Sequence, residues 1–265
     1  MSMFAVENFV DLTSFAQREL FNGCAYIWEG LTRLKGFMDG LAYPTIPAWL
    51  PLNAPLPRAV IFRAGAFEDS EGCTIAYGAK GVQVEKAGRV LEGASVIMAG
   101  VVLQGDRFWF GDGVLVESGA FLQAPAVIGA RSQVRQGAYL RGYCLVGQEC
   151  VVGHVTEMKH SIFLNGAKAG HFAYVGDSIL GNDVNLGAGT KLANLRFLRG
   201  NVHIRTSEGQ QDTGLRKMGA IFGDRAQTGC NSVTNPGTLL GKDSMVLPCV
   251  TVSAGCYAAH TVLRR

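Results

Sequence analysis

The chain has 265 residues, of which 48% are hydrophobic and 17% are charged. This composition excludes intrinsic disorder, which requires low hydrophobicity and high net charge. The formal charge of +3 is too balanced to favour nucleic acid or an anionic membrane surface as a partner. No apolar run reaches the ~20 residues of a membrane span, and the acidic N-terminus does not fit a signal peptide. Seven cysteines without a C-x-x-C pair favour a reduced, cytoplasmic protein with no disulfide framework or zinc ribbon.

Residues 1–57 are predicted to form N-terminal helices and a proline-rich linker. Ser14 and Gln17 have the spacing of a capping box, which predicts a helix start. Further along, apolar residues recur on one face of a second helix, so we expect helix within residues 14–41; they are Ile27, Leu31, Leu34 and Met38. Five of the eight prolines then follow before residue 58, where regular structure is not expected. The sequence does not decide the role of these helices; one role considered is to cap the open first coil, whose backbone groups are otherwise unpaired.

A six-residue repeat dominates the rest of the chain from Val114 onward. An aliphatic residue occupies the third position of each repeat, and the series reads Val116, Leu122, Ile128, Val134, Leu140, Val146, Val152, Met158 and Leu164. A helix has a period of 3.6 residues and a strand a period of 2, so neither gives a strict period of six. The repeat therefore predicts an all-β parallel solenoid, with three short strands per coil of about 18 residues and the aliphatic residues inside.

The predicted solenoid covers residues 58–265 and has two irregular parts. Residues 58–107 keep the composition without a clean register, and we expect irregular early coils there. Residues 193–218 lose the period and carry several charges, which predicts a loop ejected from one coil. Leu145, Val151 and Phe163 are expected to face outward and to need cover, which favours a homotrimer.

The spacing of the solenoid brings two cations together. Arg141 and Lys159 are 18 positions apart, and each directly follows an inward residue. They should therefore project from the same face about 5 Å apart, since strands in neighbouring coils are about 4.8 Å apart. One interpretation is a solvated basic surface. The other is an anion site in which a phosphate lies between the two side chains.

The histidines and cysteines give weaker signals. His171 lies in KAGHFAYVGD, where the register slips, and an irregular wall is a suitable place for a cleft. His154 and His160 are one repeat apart and so should lie on different faces, which argues against a metal site within one subunit. Cys144 and Cys150 occupy the small corner position and are expected to be buried apolar residues.

Residues 138–195 carry a family resemblance, most specifically from TEMK to ANLR. They resemble the acetyltransferase domain of the bacterial bifunctional glucosamine-1-phosphate acetyltransferase and N-acetylglucosamine-1-phosphate uridyltransferase. They are also similar to archaeal and related bacterial sugar-1-phosphate nucleotidylyltransferase-like proteins, in which strings such as TGLRKMGAIFGD are typical. The resemblance implies a left-handed β-helix, a trimer, and active sites between subunits. The 113 residues before Val114 show no counterpart of the family's nucleotidyltransferase domain, so we expect no synthesis of nucleotide sugars.

The resemblance also implies roles for individual residues. It makes His171 the general base with Glu157 beside it, and it implies that Asn185 and Asn194 position the amino sugar. It implies that Arg141, Lys159 and Tyr174 bind the sugar phosphate, which supports the anion-site interpretation. It implies that Ala188 and Cys230 contact acetyl-CoA. The family has a lysine near the donor at the position of Gly200, and Arg199 beside it is considered as its substitute. Leu195 stands where the bacterial pattern has a tyrosine, and the loop is longer, so donor binding departs most from the family.

Three functions follow from this reading. The leading hypothesis is an acetyl-CoA-dependent N-acetyltransferase acting on a hexosamine 1-phosphate, a precursor step for nucleotide sugars such as UDP-GlcNAc, with no metal. The second is a non-catalytic sugar-phosphate-binding or scaffold β-helix, suggested by Leu195 and the altered loop. The third is a metal-dependent enzyme of the γ-carbonic-anhydrase type, which shares the solenoid but needs bound zinc or iron. The sequence does not distinguish glucosamine from galactosamine or another amino sugar.

Overall fold

The computed structural model describes residues 2–78, 81–206 and 209–264, and short β-strands account for most of the regular structure. The N-terminal segment contains one α-helix, α1 (Glu29–Asp39), and two 3-10 turns at Val6–Asn8 and Arg18–Phe21. The prediction of helix across 14–41 is thus confirmed only for its second part. Gly23 has a left-handed φ of 69° and the Ile27 amide donates to the Phe4 carbonyl, so the chain turns sharply before α1 begins. No helix of the described residues is long and apolar enough to cross a membrane.

The first strands after the linker are antiparallel. They are β1 (Val60–Arg63), β2 (Ala66–Asp69), β3 (Cys73–Gly78), β4 (Gly81–Lys86) and β5 (Arg89–Val90). Ala64 and Gly65 both have positive φ, as do Ala87 and Gly88, which is the geometry of a two-residue turn between antiparallel strands. The expectation of early coils across 58–107 is therefore wrong up to β5, because local hairpins pair these strands instead.

The parallel coils begin at residue 95. Up to the interruption, their strands are β6 (Ser95–Ile97), β7 (Val102–Gln104), β8 (Phe108–Phe110), β9 (Leu115–Val116), β10 (Phe121–Gln123), β11 (Ala126–Ile128), β12 (Gln133–Val134), β13 (Tyr139–Arg141), β14 (Cys144–Val146), β15 (Val151–His154), β16 (Glu157–Lys159), β17 (Ser161–Phe163), β18 (Lys168–His171), β19 (Tyr174–Gly176), β20 (Ile179–Leu180), β21 (Asn185–Leu186) and β22 (Lys191–Leu192). After it come β25 (Ala220–Phe222), β26 (Gln227–Thr228), β27 (Val233–Thr234), β28 (Thr238–Leu240), β29 (Met245–Val246), β30 (Thr251–Val252), β31 (Gly255–Tyr257) and β32 (Val262–Leu263).

These strands stack into three parallel sheets, which we name by face. Face 1 runs from β6 through β9, β12, β15, β18, β21, β26 and β29 to β32, and β1 and β2 extend it. Face 2 contains β7, β10, β13, β16, β19, β22, β27 and β30, and face 3 contains β8, β11, β14, β17, β20, β25, β28 and β31. The parallel β-helix predicted from the repeat is confirmed. Its left hand stays an expectation from the family resemblance.

The strict six-residue count of the predicted repeat fails at two corners. Leu140 pairs with Met158 at a spacing of 18, whereas Cys144 pairs with Ser161 at a spacing of 17, so one residue is missing at the corner that holds His160. Phe163 pairs with Leu180 again at a spacing of 17, and the second missing residue is at the corner that follows Val175. Because of the first missing residue Phe163, not Leu164, lies in the interior cluster with Met158, and the expectation that Phe163 faces outward is wrong.

The N-terminal segment lies along face 3. The outward side chains of that face form a continuous apolar column, which includes Val127, Leu145, Ile162, Ile179, Ile221 and Leu239. They are buried against the N-terminal residues Phe9, Phe15 and Leu31, among others. Leu145 is therefore already covered within one chain, and the expectation that it needs a second subunit is wrong. The helices do not cap the first coil either, since Leu50 and Leu56 from the linker close its interior instead.

The ejected segment leaves the coils between β22 and β25. Its hairpin consists of β23 (His203–Thr206) and β24 (Gly209–Asp212), which pair antiparallel. Stacking continues across the interruption, because Leu192 pairs with Thr234 on face 2 and Ile179 with Ile221 on face 3. The hairpin thus leaves the solenoid at the corner of faces 2 and 3 without breaking it, and its buried Val202 and Ile204 pack in the same cluster as Ile221 and Leu239 of face 3.

Candidate functional site

A polar patch on face 2 collects four of the residues predicted from the sequence. Tyr139, Glu157 and Tyr174 are register partners on β13, β16 and β19, so their side chains form one outward column. Arg141 and Lys159 follow the fully buried Leu140 and Met158 and form the next column. The alternation of a β-strand explains the arrangement, because residues on either side of an inward residue point outward. The structure therefore brings Arg141, Glu157, Lys159 and Tyr174 together.

Each cation of the patch faces a carboxylate. Arg141 Nη1 donates to Glu157 Oε1 at 2.7 Å, and this hydrogen bond raises the pKa of the guanidinium. Lys159 Nζ lies 3.5 Å from Asp177 Oδ2. The stacked cations are thus compensated rather than simply repelling each other, and a bound phosphate would compete with two carboxylates for them.

Asp177 is the functional candidate that sequence reasoning missed. Its side chain is 8% exposed, and it contacts Lys159, His160 Nδ1 at 3.0 Å and Asn194 Nδ2 at 2.5 Å. Burial alone would raise the pKa of this carboxyl, but His160, Lys159 and Asn194 together hold it below its usual value. The period did not indicate this residue, because the register partner of Lys159 is Gly176 at a spacing of 17, and Asp177 is the next residue, at the corner between faces 2 and 3.

Gly176 allows Tyr174 and Asn194 to approach the backbone. A Cβ at this position would lie 2.6 Å from both Asn194 Nδ2 and the Tyr174 hydroxyl, so any other residue would displace the ends of these two side chains. Burial raises the pKa of Tyr174, and the nearby charges of Glu157 and Asp177 add to the effect. The phenol therefore stays protonated at neutral pH and can donate a hydrogen bond.

His171 lies at the corner between faces 1 and 2, beside the patch. Its ring centroid is 6.3 Å from that of Phe172, which is 53% exposed, and its backbone carbonyl accepts a hydrogen bond from Gly189. Within the described residues the His171 imidazole makes no hydrogen bond or ion pair, and Glu157 is engaged by Arg141. The expectation that Glu157 orients His171 therefore lacks a contact within one chain.

The remaining predicted residues lie away from the patch. Asn185 is exposed on face 1, where it pairs with Lys168 and Gln227. Ala188 and Cys230 are close together at the corner between faces 1 and 2, as shown by the 2.8 Å hydrogen bond from the Asn231 amide to the Ala188 carbonyl. Arg199 is exposed on the ejected segment and, among the described residues, makes no hydrogen bond or ion pair. Ala188 and Cys230 thus lie on the same corner as His171 in the following coils, since the Gly189 amide donates to the His171 carbonyl, whereas Arg199 lies apart on the ejected segment.

A cavity of about 510 Å³ lies between the ejected segment and face 2. Ala193 and Leu195, the neighbours of Asn194, line it, so it adjoins the polar patch. Its lining also includes Phe197 and three nitrogen-rich side chains, namely Arg196, His203 and Arg205. Apolar and cationic groups therefore occur together here, and sequence reasoning singled out none of these three.

Two further expectations concern a metal site, which the sequence argues against, and the burial of two cysteines. No cluster of three His, Cys, Asp or Glu side chains that could hold a metal ion occurs among residues 2–78, 81–206 and 209–264. His154 Nδ1 lies 2.9 Å from the Gln136 carbonyl on the face 1 side, whereas His160 contacts Asp177 at the corner of faces 2 and 3. Cys144 and Cys150 are buried as predicted, and burial raises the pKa of each thiol to about 12.

Comparison with known families identifies the central part of the solenoid. Residues 122–208 match the family model described as the GMPPB C-terminal domain. The matched range contains the polar patch of Arg141, Glu157, Lys159 and Tyr174, and it also contains His171 and Asp177. The resemblance inferred from the sequence is therefore confirmed for this part of the chain.

Individual similar proteins also align with only part of this chain. The chain is 36% identical over 138 residues to a bifunctional sugar-1-phosphate nucleotidylyltransferase/acetyltransferase of Sulfurisphaera tokodaii, covering 52% of this chain and 34% of that protein. It is 38% identical over 109 residues to the bifunctional protein GlmU of Methanococcus vannielii, covering 41% of this chain and 26% of the relative. The GlmU of Synechococcus elongatus is 33% identical over 145 residues, covering 55% and 26% respectively. The chain thus aligns with about a quarter to a third of the length of these relatives.

Proposed function

We propose that the protein is an N-acetyltransferase that transfers acetyl from acetyl-CoA to the amino group of a hexosamine 1-phosphate. The observation that carries the proposal is the polar patch on face 2, where Arg141, Lys159 and Tyr174 offer donors to one anion next to the His171 corner. These residues lie within residues 122–208, the range matched by the GMPPB C-terminal domain, and one similar protein is named a bifunctional sugar-1-phosphate nucleotidylyltransferase/acetyltransferase. Guanidinium, ammonium and phenol groups are suitable ligands for a phosphate monoester.

The proposed chemistry needs one group that accepts a proton. The amine of the sugar is protonated at neutral pH and must lose a proton before it can attack a thioester carbonyl. An exposed imidazole is suited to this because its ordinary pKa is near neutral. The acetyl-CoA supplies the acetyl thioester; a nitrogen–carbon bond forms and the carbon–sulfur bond breaks. Of the two protons that the ammonium loses on becoming an amide, the one taken up by His171 passes to the departing thiolate and the other is released to solvent.

The phosphate ligands contribute to the rate by orientation. Arg141 and Lys159 hold the phosphate on face 2, while His171 is at the adjacent corner, so an amino sugar can extend from one to the other. Fixing both reactants in this way replaces a collision between free molecules, which is a large part of many enzymatic accelerations. Asn194, close to Tyr174 and Asp177, is the group on this face proposed to bind the sugar.

We propose further that the site is completed by other copies of the chain in a homotrimer. The support is different from that expected from the sequence, because Leu145 and Phe163 are buried within one chain. Exposed apolar residues lie instead on face 1 and at its corner with face 2, and they include Val155, Phe172, Met245, Leu247 and Val262. Light scattering should give a mass near three times 28.3 kDa, and a monomer mass at micromolar concentration would contradict the assembly.

The experiment that tests the activity is the release of free CoA. Purified protein is mixed with acetyl-CoA and either glucosamine 1-phosphate or galactosamine 1-phosphate, and the thiol is measured with a colorimetric reagent. CoA release that depends on the amino sugar supports the proposal, and the two sugars reveal the preferred substrate. The Lys159→Ala variant, assayed in parallel, should need a far higher concentration of sugar phosphate to reach half of its maximal rate. CoA release no faster than without protein would overturn the proposal.

The alternative is a β-helix that binds sugar phosphate without transfer. It is favoured by Leu195 in place of the family tyrosine and by the absence of a described hydrogen-bond partner for the His171 imidazole. Calorimetry distinguishes the two functions. Binding of glucosamine 1-phosphate without any binding of acetyl-CoA would support the alternative, whereas binding of both ligands supports the enzyme.

A further inference from the structure

The orientation of the Asn194 amide is determined by its neighbours. Asn194 Nδ2 donates to Asp177 Oδ2 at 2.5 Å, and the Tyr174 hydroxyl lies beside the same amide. An ionised carboxylate only accepts hydrogen bonds, so the nitrogen and not the oxygen of the amide must face Asp177. Asn194 Oδ1 then points away from Asp177, and it accepts no hydrogen bond from any described residue.

The Asn194 oxygen is suited to a donor on a ligand. The residue is 8% exposed, and its oxygen is not among the fully buried atoms that lack a partner. A carbonyl oxygen in this position can accept from an ammonium or hydroxyl group of an amino sugar. If the amide were flipped, it would present two N–H donors instead and would repel an ammonium group.

Asp177 also restrains the cation next to it. Lys159 Nζ is 3.5 Å from Asp177 Oδ2, and the Lys159 side chain is 27% exposed. An ammonium group has three donors, so one can face Asp177 while the others remain available to a phosphate. His160 Nδ1 occupies the other oxygen of Asp177 at 3.0 Å, which prevents the carboxylate from rotating freely.

We infer that Asp177 is a positioning residue that turns the oxygen of Asn194 toward the amino sugar and holds Lys159 beside the phosphate. The inference rests on the proposed function, because it assigns the two neighbours of Asp177 to the two ends of that substrate. Asp177 itself touches no substrate. Its carboxylate is buried behind Lys159 and Asn194, and it acts only through them.

The Asp177→Asn variant tests this role because it keeps the shape of the side chain and removes the charge. An amide has one acceptor where the carboxylate has two, so it cannot satisfy Asn194, His160 and Lys159 together. We expect kcat/KM for the amino-sugar 1-phosphate to fall about 10- to 100-fold, by analogy with the loss seen when a partner that orients a metal-binding side chain is removed. Asp224→Asn is the matched control, since Asp224 is a buried carboxylate that also accepts from an asparagine amide, that of Asn182.

Double-mutant cycles separate positioning from a general structural role. If Asp177 acts through its two neighbours, Asp177→Asn should lower kcat much less in the Asn194→Ala background than in the native protein. It should likewise weaken glucosamine 1-phosphate binding much less in the Lys159→Ala background. If Asp177 had only a general structural role, its fold-loss would be the same in both backgrounds, so the fold-losses of the two changes would multiply. This is the result expected for Asp224→Asn. Additive effects in both cycles would overturn the inference.

A measurement that needs no substrate distinguishes failure of the inference from failure of the proposed function. The side-chain amide protons of Asn194, assigned by their loss in Asn194→Ala, are observed in a nitrogen–proton NMR spectrum. The short bond to a carboxylate should shift one of them and slow its exchange, and Asp177→Asn should abolish both effects. An unchanged signal in Asp177→Asn overturns the inference even in an active enzyme. A native protein without CoA release and without sugar-phosphate binding refutes the proposed function, while the NMR signal still decides whether Asp177 orients Asn194.

Discussion

His154 and His171 are register partners at the ends of β15 and β18, so the same corner of the solenoid carries a histidine in two successive coils. Their environments differ, because His154 Nδ1 lies 2.9 Å from the Gln136 carbonyl, whereas the His171 ring has no described hydrogen-bond partner. His154 is therefore held by its own chain, whereas no hydrogen bond from a described side chain or carbonyl holds the His171 imidazole.

Replacing His171 with Gln should separate catalysis from binding. A general base typically accelerates a reaction by roughly 10²–10⁴-fold. If His171 has this role, kcat should fall by that factor while the Kd for sugar phosphate changes little. Steady-state CoA release and calorimetry measure the two quantities. His154→Gln is the matched control, one coil away, and should retain turnover within a few-fold. Equal losses in the two variants would contradict the assignment.

Replacing Lys159 with Ala should weaken binding of the amino-sugar 1-phosphate by roughly 1.5–3 kcal/mol, the usual contribution of a hydrogen bond to a charged group. Arg141→Ala should do the same, and the double variant should lose less than the sum because both side chains contact one anion. Arg131→Ala is the control, since Arg131 also pairs with a carboxylate, that of Glu149, but lies on another corner. Unchanged affinity in Lys159→Ala would make the stacked cations a solvated surface.

Replacing Gly176 with Ala should disturb the contacts among Tyr174, Asn194 and the backbone. The added Cβ would lie 2.6 Å from both polar groups, so we expect a loss of about 1–3 kcal/mol in the free energy of unfolding together with weaker sugar-phosphate binding. Gly36→Ala in α1 is the control, because a Cβ there meets no atom within 4 Å. It should stabilise the protein by about 0.5–1 kcal/mol. Denaturant unfolding tests both, and a neutral Gly176→Ala would show that the site has room there.

The carboxyl of Asp177 should make stability depend on acid pH. Because its pKa is lower in the folded protein than in the unfolded chain, it contributes stability that is fully present above the unfolded value of about 3.9. That contribution is lost as the pH falls through the folded pKa. The stability difference between native protein and Asp177→Asn, measured by denaturant unfolding from pH 7 to pH 3, should therefore shrink below about pH 4. A difference that stays constant would contradict the lowered pKa.

Replacing Leu145 with Ala should cost about 2–5 kcal/mol of unfolding free energy, as expected for a fully buried leucine. This large effect is expected although Leu145 is on the outer side of the coil, because the N-terminal segment covers it. Leu198→Ala is the control, since that side chain is 71% exposed and its loss should change stability by less than about 0.5 kcal/mol. A small effect of Leu145→Ala would mean that the N-terminal segment does not pack on face 3 in solution.

The repeat in the sequence was sufficient to predict the parallel solenoid and the polar patch. Each coil position is set by local chemistry, since an aliphatic residue must face the narrow interior and the next residue must then face outward. Counting 18 residues therefore placed Arg141 over Lys159 correctly, because no residue is missing between β13 and β16. Periodicity predicts such contacts because the solenoid is nearly one-dimensional, so neighbours in space are neighbours by a fixed count.

Tertiary structure alone decided the features that do not follow the count. The missing residue at the His160 corner turned Phe163 inward, and no local pattern marks a one-residue deletion when both Phe163 and Leu164 are apolar. The apolar column on face 3 must be buried from solvent, but the sequence did not show whether another subunit or the N-terminal segment buries it. Burial of Leu145 by the chain's own first residues depends on contacts across more than 100 positions. The orientation of Asn194 likewise follows from an acceptor one coil away, since an amide side chain has no preferred direction until a charged neighbour selects one.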